Sequence, residues 1–370
     1  MADKVYEKGQ IIIKNNKIFD VGENLNIPEE AEIIDSNGKV IMPGLIDGHT
    51  HLGIDEQDVG WAGQDFNEKS NPITPQLRAL DAINPKDTGF KDAYKNGITT
   101  AMIAPGSSNV IGGECTIVKT YGKTIDKMIL KKSAGMKAAL GENPKGIYGD
   151  KNKAPGTRMA VASLLRETLI KAINYKNEKK IKEKNNDYFS KNLKMEQLLK
   201  VINNKIALRV HAHRADDIIT AIRISEEFDI KIIIEHCTEG HLVVEELANA
   251  DIPVMVGPSF GGRSKVELKN KTFKTAGILS KSGINIAIIS DHSVTPTQHL
   301  PLYAALAIKG GMDKNIALKA ITINPAKIMG IDNRVGSIEK GKDADLVIFD
   351  GNPLKIMTEV EQVFINGKSL

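Results

Sequence analysis

Residues 40–51 read Val-Ile-Met-Pro-Gly-Leu-Ile-Asp-Gly-His-Thr-His. An apolar run, broken by Pro43-Gly44, passes into a polar tip carrying His49 and His51. Side chains two apart on a strand point to the same side of the pleat, so these imidazoles can grip one cation. An HxH pair alone is weak, because two polar turn residues look the same. The pattern recurs, however. Ile206-Ala-Leu-Arg-Val-His211-Ala-His213 ends an apolar run in histidine, Ile230–His236 does so again, and Ile284–Ser290 leads into Asp291-His292. Four strand ends carrying metal-capable groups are hard to explain as four hydrogen-bonded surface histidines.

Working outward, eight short apolar runs are strand candidates: Gly44–Leu52, Ile98–Ile103, Cys115–Val118, Gly135–Leu140, Ile206–His211, Lys231–His236, Pro253–Val256 and Ile284–Ser290. Most are separated by stretches long enough for a helix. Such alternation predicts an α/β fold with a parallel sheet, and eight units predict a (β/α)8 TIM barrel over residues 43–336. A Lys-rich helical stretch between Met159 and Asn204 reads as an insertion after the fourth strand.

The chain ends differ. Gln10–Ile13, Lys17–Val21, Ala31–Asp35 and Lys39–Met42 read as short strands, as do Gly341–Asp350 and Val363–Lys368. Neither end has the apolar area to fold alone. Residues 1–42 and 337–370 are therefore expected to pair into one small β-sandwich.

Composition narrows the function. With 50 Lys+Arg against 46 Asp+Glu the net charge is +4, and only eight basic residues are arginine. Aromatics are 5%. Nucleic-acid readers lean on Arg and interleaved aromatics, so no nucleic-acid partner is expected. The densest basic stretch, Lys171–Lys184, reads as a solvated helix face. No run approaches a membrane span. The start, Met1 to Lys8, is polar, which predicts no export signal and a cytoplasmic location. Cys115 and Cys237 are then expected to be free thiols.

The Pro43–His51 motif, together with Thr322-Ile-Asn-Pro-Ala-Lys-Ile-Met-Gly-Ile331 and Gly336-Ser-Ile-Glu-Lys-Gly-Lys-Asp-Ala-Asp-Leu-Val347, resembles the amidohydrolase superfamily. Its imidazolonepropionase-related and prolidase-like branches are the nearest likeness. The resemblance covers nearly the whole chain and implies a divalent metal cofactor, with zinc the default for nitrogen and oxygen donors. His49, His51 and Asp291 would bind one ion, and His211 and His236 a second. A carboxylated Lys137 would bridge them, with Lys119 and Glu114 as rival bridges. Asp291 would be the catalytic base and acid for a metal-activated water.

His213, Arg214, Arg263 and His292 are expected to bind the substrate, the arginines by clamping a carboxylate. The expected substrate is then a small molecule, one able to bear a carboxylate, and the enzyme is expected to be a homo-oligomer. Cleavage of an amide or cyclic amide C–N bond leads. Dipeptide or N-acyl amino acid hydrolysis is the alternative, and a non-catalytic metal-binding or assembly protein the third reading. Deaminases of this superfamily tend to carry an acidic residue three positions after the histidine of strand five. Arg214 stands there, which argues against deamination.

Overall fold

The computed structural model describes residues 5–370, so the first four residues of the polar start lie outside the described part. Strands β1 (Gln10–Lys14) and β2 (Lys17–Gly22) form an antiparallel hairpin around Asn15-Asn16. Strand β3 (Val40–Pro43) then leads directly into β4 (Leu45–Thr50), the first strand of the large sheet. Ala31–Asp35, expected as a strand, is irregular. It carries two exposed isoleucines, Ile33 and Ile34, with no strand partner.

The large sheet has eight strands, and each overlaps one of the eight expected runs. After β4 come α1 (Thr88–Lys95), β5 (Ile98–Ile103), β6 (Ile111–Lys119), α2 (Ile125–Met128) and β7 (Ile129–Ala139). Next are α3 (Glu142–Gly149), α4 (Arg158–Lys184), α5 (Leu193–Ile202), β8 (Leu208–Ala212), α6 (Ala215–Phe228) and β9 (Ile232–His236). Then follow α7 (Val244–Asn249), β10 (Val254–Val256), α8 (Lys274–Lys281) and β11 (Ile286–Ile288). Neighbours in sequence are neighbours in the sheet, from β4 round to β11. A parallel bridge between Thr50 and His292 nearly closes the ring.

One strand breaks the regular pattern. β6 runs antiparallel to both β5 and β7, whereas the other strand pairs are parallel. The expected all-parallel barrel is corrected here, and the reason is visible in the spacing. A parallel connection needs a crossover of about a dozen residues or more. Residues 104–110 and 120–128 are too short for one, so the chain turns back twice as hairpins. The reversal decides which end of β6 meets the site: Gly113 lies opposite Lys137 and Glu114 opposite Met136, while Lys119 lies opposite Thr100 at the far end.

Two apolar layers hold the barrel. Leu45, Ile103, Met136, Val210, Ile234, Val256 and Ile288 face the helices, packing with Leu165, Leu169 and Leu198 of α4 and α5. The other face contributes Ile46, Met102, Cys115, Ile117, Ile233, Met255 and Ala287 to a separate cluster. Ile323, Ala326 and Met329 join that cluster from α11 (Ile323–Met329), which follows α9 (Leu300–Lys309) and α10 (Lys314–Lys319). The alternation puts residues two apart on the inside, so the inner positions near the strand tips are free for chemistry.

The C-terminal strands β12 (Leu346–Phe349), β13 (Val360–Ile365) and β14 (Lys368–Ser369) join β3 in a four-stranded antiparallel sheet. Ile18 of β2 packs with Ala344, Leu346, Ile348 and Phe364 in a third apolar cluster. The two chain ends therefore share a core. Among the described residues, no helix is long and apolar enough to cross a membrane. Both cysteines are buried free thiols, and burial pushes each to a pKa of about 12.

Candidate metal centre

The barrel mouth is built by strand ends that stop where their polar residues begin. β4 delivers His49, and His51 follows one residue past its end; β8 delivers His211, and β9 delivers His236 at its last position. Asp291 follows β11 by three residues. His236 and Asp291 adopt the left-handed region, at φ 69° and 58°. Such backbone costs about 1–3 kcal/mol where the surroundings enforce it, and it collects at functional sites. Here it turns the last side chain of a strand toward the centre.

Three of these imidazoles are held from behind. His49 Nδ1 lies 2.8 Å from Glu235 Oε2, His51 Nδ1 2.7 Å from the Ala104 carbonyl, and His236 Nδ1 2.8 Å from the Gly257 carbonyl. Each ring then presents Nε2 forward. The Nε2 atoms of His49 and His51 both stand 3.4 Å from Asp291 Oδ1. Lys137 Nζ stands 3.3 Å from His49 Nε2.

These spacings test whether a cation fits. Bonds of about 2.0–2.2 Å in a tetrahedron place neighbouring donors about 3.4 Å apart. The His49–Asp291 and His51–Asp291 separations match that edge. His49, His236 and Asp291 form one group of donors within 4.8 Å of one another, and His211, His213 and His236 form another. His211 turns its Nε2 toward Glu267 and Asn143, and its Nδ1 is buried with no hydrogen-bond partner. The residues present therefore fit a divalent metal.

Electrostatics prepares the same state. Burial lowers the pKa of His51, of His211 and His213 strongly, and of His236 to about 3, so their lone pairs are free at neutral pH. Burial likewise lowers Lys137, a fully enclosed amine. Burial alone would raise Asp291, but the neighbouring His236, His49 and His51 rings outweigh it and hold it well below the ordinary carboxylate value.

With this geometry in view, sequence comparison decides the family. The family model described as "Amidohydrolase family" matches residues 40–370. The chain belongs to the amidohydrolase family. A solved amidohydrolase from Thermotoga maritima shares 43% identity over 97% of this chain and 94% of its own, with a TM-score of 0.95. An imidazolonepropionase of Picrophilus torridus is 25% identical over 98% of this chain and 93% of its own length. An amidohydrolase of Hapsidospora irregularis, named tasK, is 28% identical over 99% of this chain, which spans only 39% of that longer protein.

Within this amidohydrolase, the other expected residues fall in different places. His213 joins the imidazole cluster, its ring stacked 4.8 Å from that of His236. Arg214 lies outside it: its guanidinium forms a two-pronged pair with Asp216 at the start of α6. Arg263 is exposed and donates to the Lys271 carbonyl. His292 is fully buried beside Gln57 and accepts from the Thr297 amide. No carboxylate clamp is assembled from these residues. Of the rival bridges, Lys119 sits at the opposite end of the barrel, paired with Asp343 and Asp345. Glu114 is engaged by Lys200 and Ser133. The antiparallel course of β6 explains the first placement, and side-chain alternation the second, because Glu114 pairs with Met136 of the helix-facing layer.

Three residues of the site were not anticipated. Glu235, fully buried, orients His49 and is itself faced by Arg209, whose Nε lies 2.6 Å away. Burial would raise Glu235, yet Arg209 and His49 prevail and bring its pKa to about 2. Arg209 also donates to the Gly48 carbonyl, tying β8 to β4. Asp47, one position before Gly48, accepts from Thr297 and from the Ser290 hydroxyl, and so anchors the segment bearing Asp291 to β4. The available signal was parity: Arg209 and Glu235 are charged residues in otherwise apolar strands, two and one positions before a histidine.

Proposed function

We propose that this amidohydrolase hydrolyses a C–N bond of a small molecule, an amide or cyclic amide, at a divalent metal centre. The observation that carries the proposal is Asp291 Oδ1, an ionised carboxylate oxygen 3.4 Å from two forward-facing imidazole nitrogens. His49, His51 and Asp291 would hold one ion, zinc by default, and His211 and His236 a second. A bound ion lowers the pKa of a coordinated water to about 7 and polarises a carbonyl. Asp291 accepts the proton of the attacking water on its carboxylate and returns it to the leaving nitrogen, acting as base and then acid. Glu235 and the Ala104 and Gly257 carbonyls keep the rings fixed while this happens.

Lys137 supports a bridging role. Its amine is buried, 3.3 Å from a proposed ligand atom, and lowered in pKa by that burial. A neutral amine can add carbon dioxide: Nζ bonds to the carbon, one proton leaves, and a carbamate with two oxygen donors results. Native mass measurement should show one added carbon dioxide, lost in Lys137→Met; an unmodified wild-type lysine would remove the bridge.

We also read the two terminal sheets as one β-sandwich, from residues 1–42 and 337–370, flanking a barrel over 43–336. The shared core of Ile18, Leu346 and Phe364 supports this reading.

Names among the relatives favour C–N chemistry without fixing the substrate. They include imidazolonepropionases and a 5'-deoxyadenosine deaminase of Methanobrevibacter smithii, 25% identical over 93% of this chain. The dipeptidase or N-acyl amino acid alternative draws on the fold alone, shared at a TM-score of 0.59 and 17% identity with a Xaa-Pro dipeptidase. A screen of cyclic amides, N-acyl amino acids and dipeptides with zinc or manganese distinguishes these. On any substrate turned over, Asp291→Asn should retain the protein's fold and lose about 10²–10⁴-fold in kcat. Unchanged kcat would remove Asp291 from the reaction, and a silent panel would favour a binding protein.

A further inference from the structure

The bridging reading gives the second ion His211, His236 and one carbamate oxygen from Lys137, and the surroundings of the two imidazoles supply further donors. His213 Nδ1 is held 2.7 Å from Thr238 Oγ1, which leaves its Nε2 free to face inward. The rings of His211 and His213 meet edge to face at 4.5 Å, and His211 and His236 at 4.4 Å. A carboxylate approaches this trio from the loop after β10. Glu267 Oε1 lies 3.7 Å from His211 Nε2 and 3.7 Å from His213 Nε2. Glu267 is 1% exposed, and its other oxygen accepts from the Glu142 amide at 3.1 Å.

We propose that His211, His213, His236 and Glu267 together form a four-donor cation site, in which His213 and Glu267 are metal ligands rather than substrate contacts. The proposal rests on the metal-centre reading above and specifies its second position. Three nitrogens and one carboxylate oxygen suit zinc or another borderline divalent ion. The 3.7 Å separations from Glu267 are slightly longer than the edge of about 3.4 Å expected for a tetrahedral ion. A small inward movement of one side chain closes that gap. The competing explanation is that Glu267 serves only Lys265, whose Nζ lies 3.4 Å from the same oxygen. Lys265 has a second acceptor, however, in Asn143 Oδ1 at 2.8 Å. Asn143 also places its Nδ2 3.4 Å from His211 Nε2, a contact that ion binding would displace.

The test is metal titration of the chelator-treated full-length protein with cobalt(II), read by bound equivalents and visible absorption. Wild type should take up two equivalents. Glu267→Gln keeps the size and the Glu142 contact but removes the charge, and His213→Asn removes the nitrogen. Altering a residue behind a ligand costs about 10–100-fold in metal affinity, so losing a ligand itself should weaken one equivalent by at least roughly tenfold. The other equivalent should be unchanged and be abolished instead by His49→Ala. Two equivalents with wild-type affinity and absorption in both Glu267→Gln and His213→Asn would overturn the four-donor site while leaving the two-ion reading intact. No uptake by wild type would overturn both.

Discussion

At the residue scale, the decisive arrangement is a relay of buried charge behind His49. Arg209 faces Glu235, Glu235 fixes His49 Nδ1, and His49 Nε2 faces the centre. Carboxylate–histidine pairs of this kind fix the ring and raise its basicity. Glu235→Gln should therefore lower metal affinity about 10–100-fold without touching the ion. It should also destabilise the fold by about 3–5 kcal/mol, because Arg209 is left as an unpaired buried charge. Metal titration and denaturant unfolding read the two effects separately. Unaltered affinity would make Glu235 a structural partner of Arg209 alone. The histidines and Asp291 were legible in the sequence because each ends an apolar run. Arg214 and Arg263 lie away from the imidazole cluster and His292 is buried beside Gln57, because nearness to a strand end in sequence does not fix the direction of a side chain. Arg214 found Asp216 two residues on, and His292 turned under the Gln57 loop.

At the scale of elements, strand existence was readable and strand direction was harder to see. The eight runs were recognisable by composition, but β6 required attention to the lengths on either side of it. Its reversal brings Gly113 against Lys137 and carries Lys119 to the far end. Gly113 has φ 137°, and a Cβ there would fall 2.6 Å from the Leu77 carbonyl oxygen. Gly113→Ala should thus destabilise by about 1–3 kcal/mol and loosen the Leu77 segment that runs beside β6. Thermal unfolding checks the first effect, and proteolysis near Leu77 the second. A Tm equal to wild type would mean that the β6 backbone adjusts freely. The lost strand at Ala31–Asp35 has the opposite cause: suitable local residues found no sheet edge to join.

At the scale of the whole molecule, the barrel and the terminal sheets are joined by buried charge as well as apolar contact. Lys119 of β6 pairs with Asp343 and Asp345, which enter β12; Lys17 and Arg334 also reach Asp343. Burial would raise Asp343, but Lys119 and the hydrogen bonds from Lys17 and Arg334 hold it below the usual 3.8. A carboxylate depressed in the folded state contributes stability above its unfolded pKa and loses it as pH falls through the folded value. Stability should therefore be flat near neutrality and begin to fall below about pH 4. Lys119→Met should cost about 3–5 kcal/mol at neutral pH, by leaving buried carboxylates short of their partner. It should also flatten that acid limb. Urea unfolding across pH 3–7 measures both, and an identical pH profile in the variant would show that Lys17 and Arg334 alone set the Asp343 charge.

The most direct test of the central claim is turnover after metal removal. The chelated protein should hydrolyse none of the amide panel and regain activity as zinc or manganese is restored, saturating at no more than two ions per chain. Equal turnover by the chelated protein, or no turnover of any amide after metal uptake, would contradict a metal-dependent C–N hydrolase.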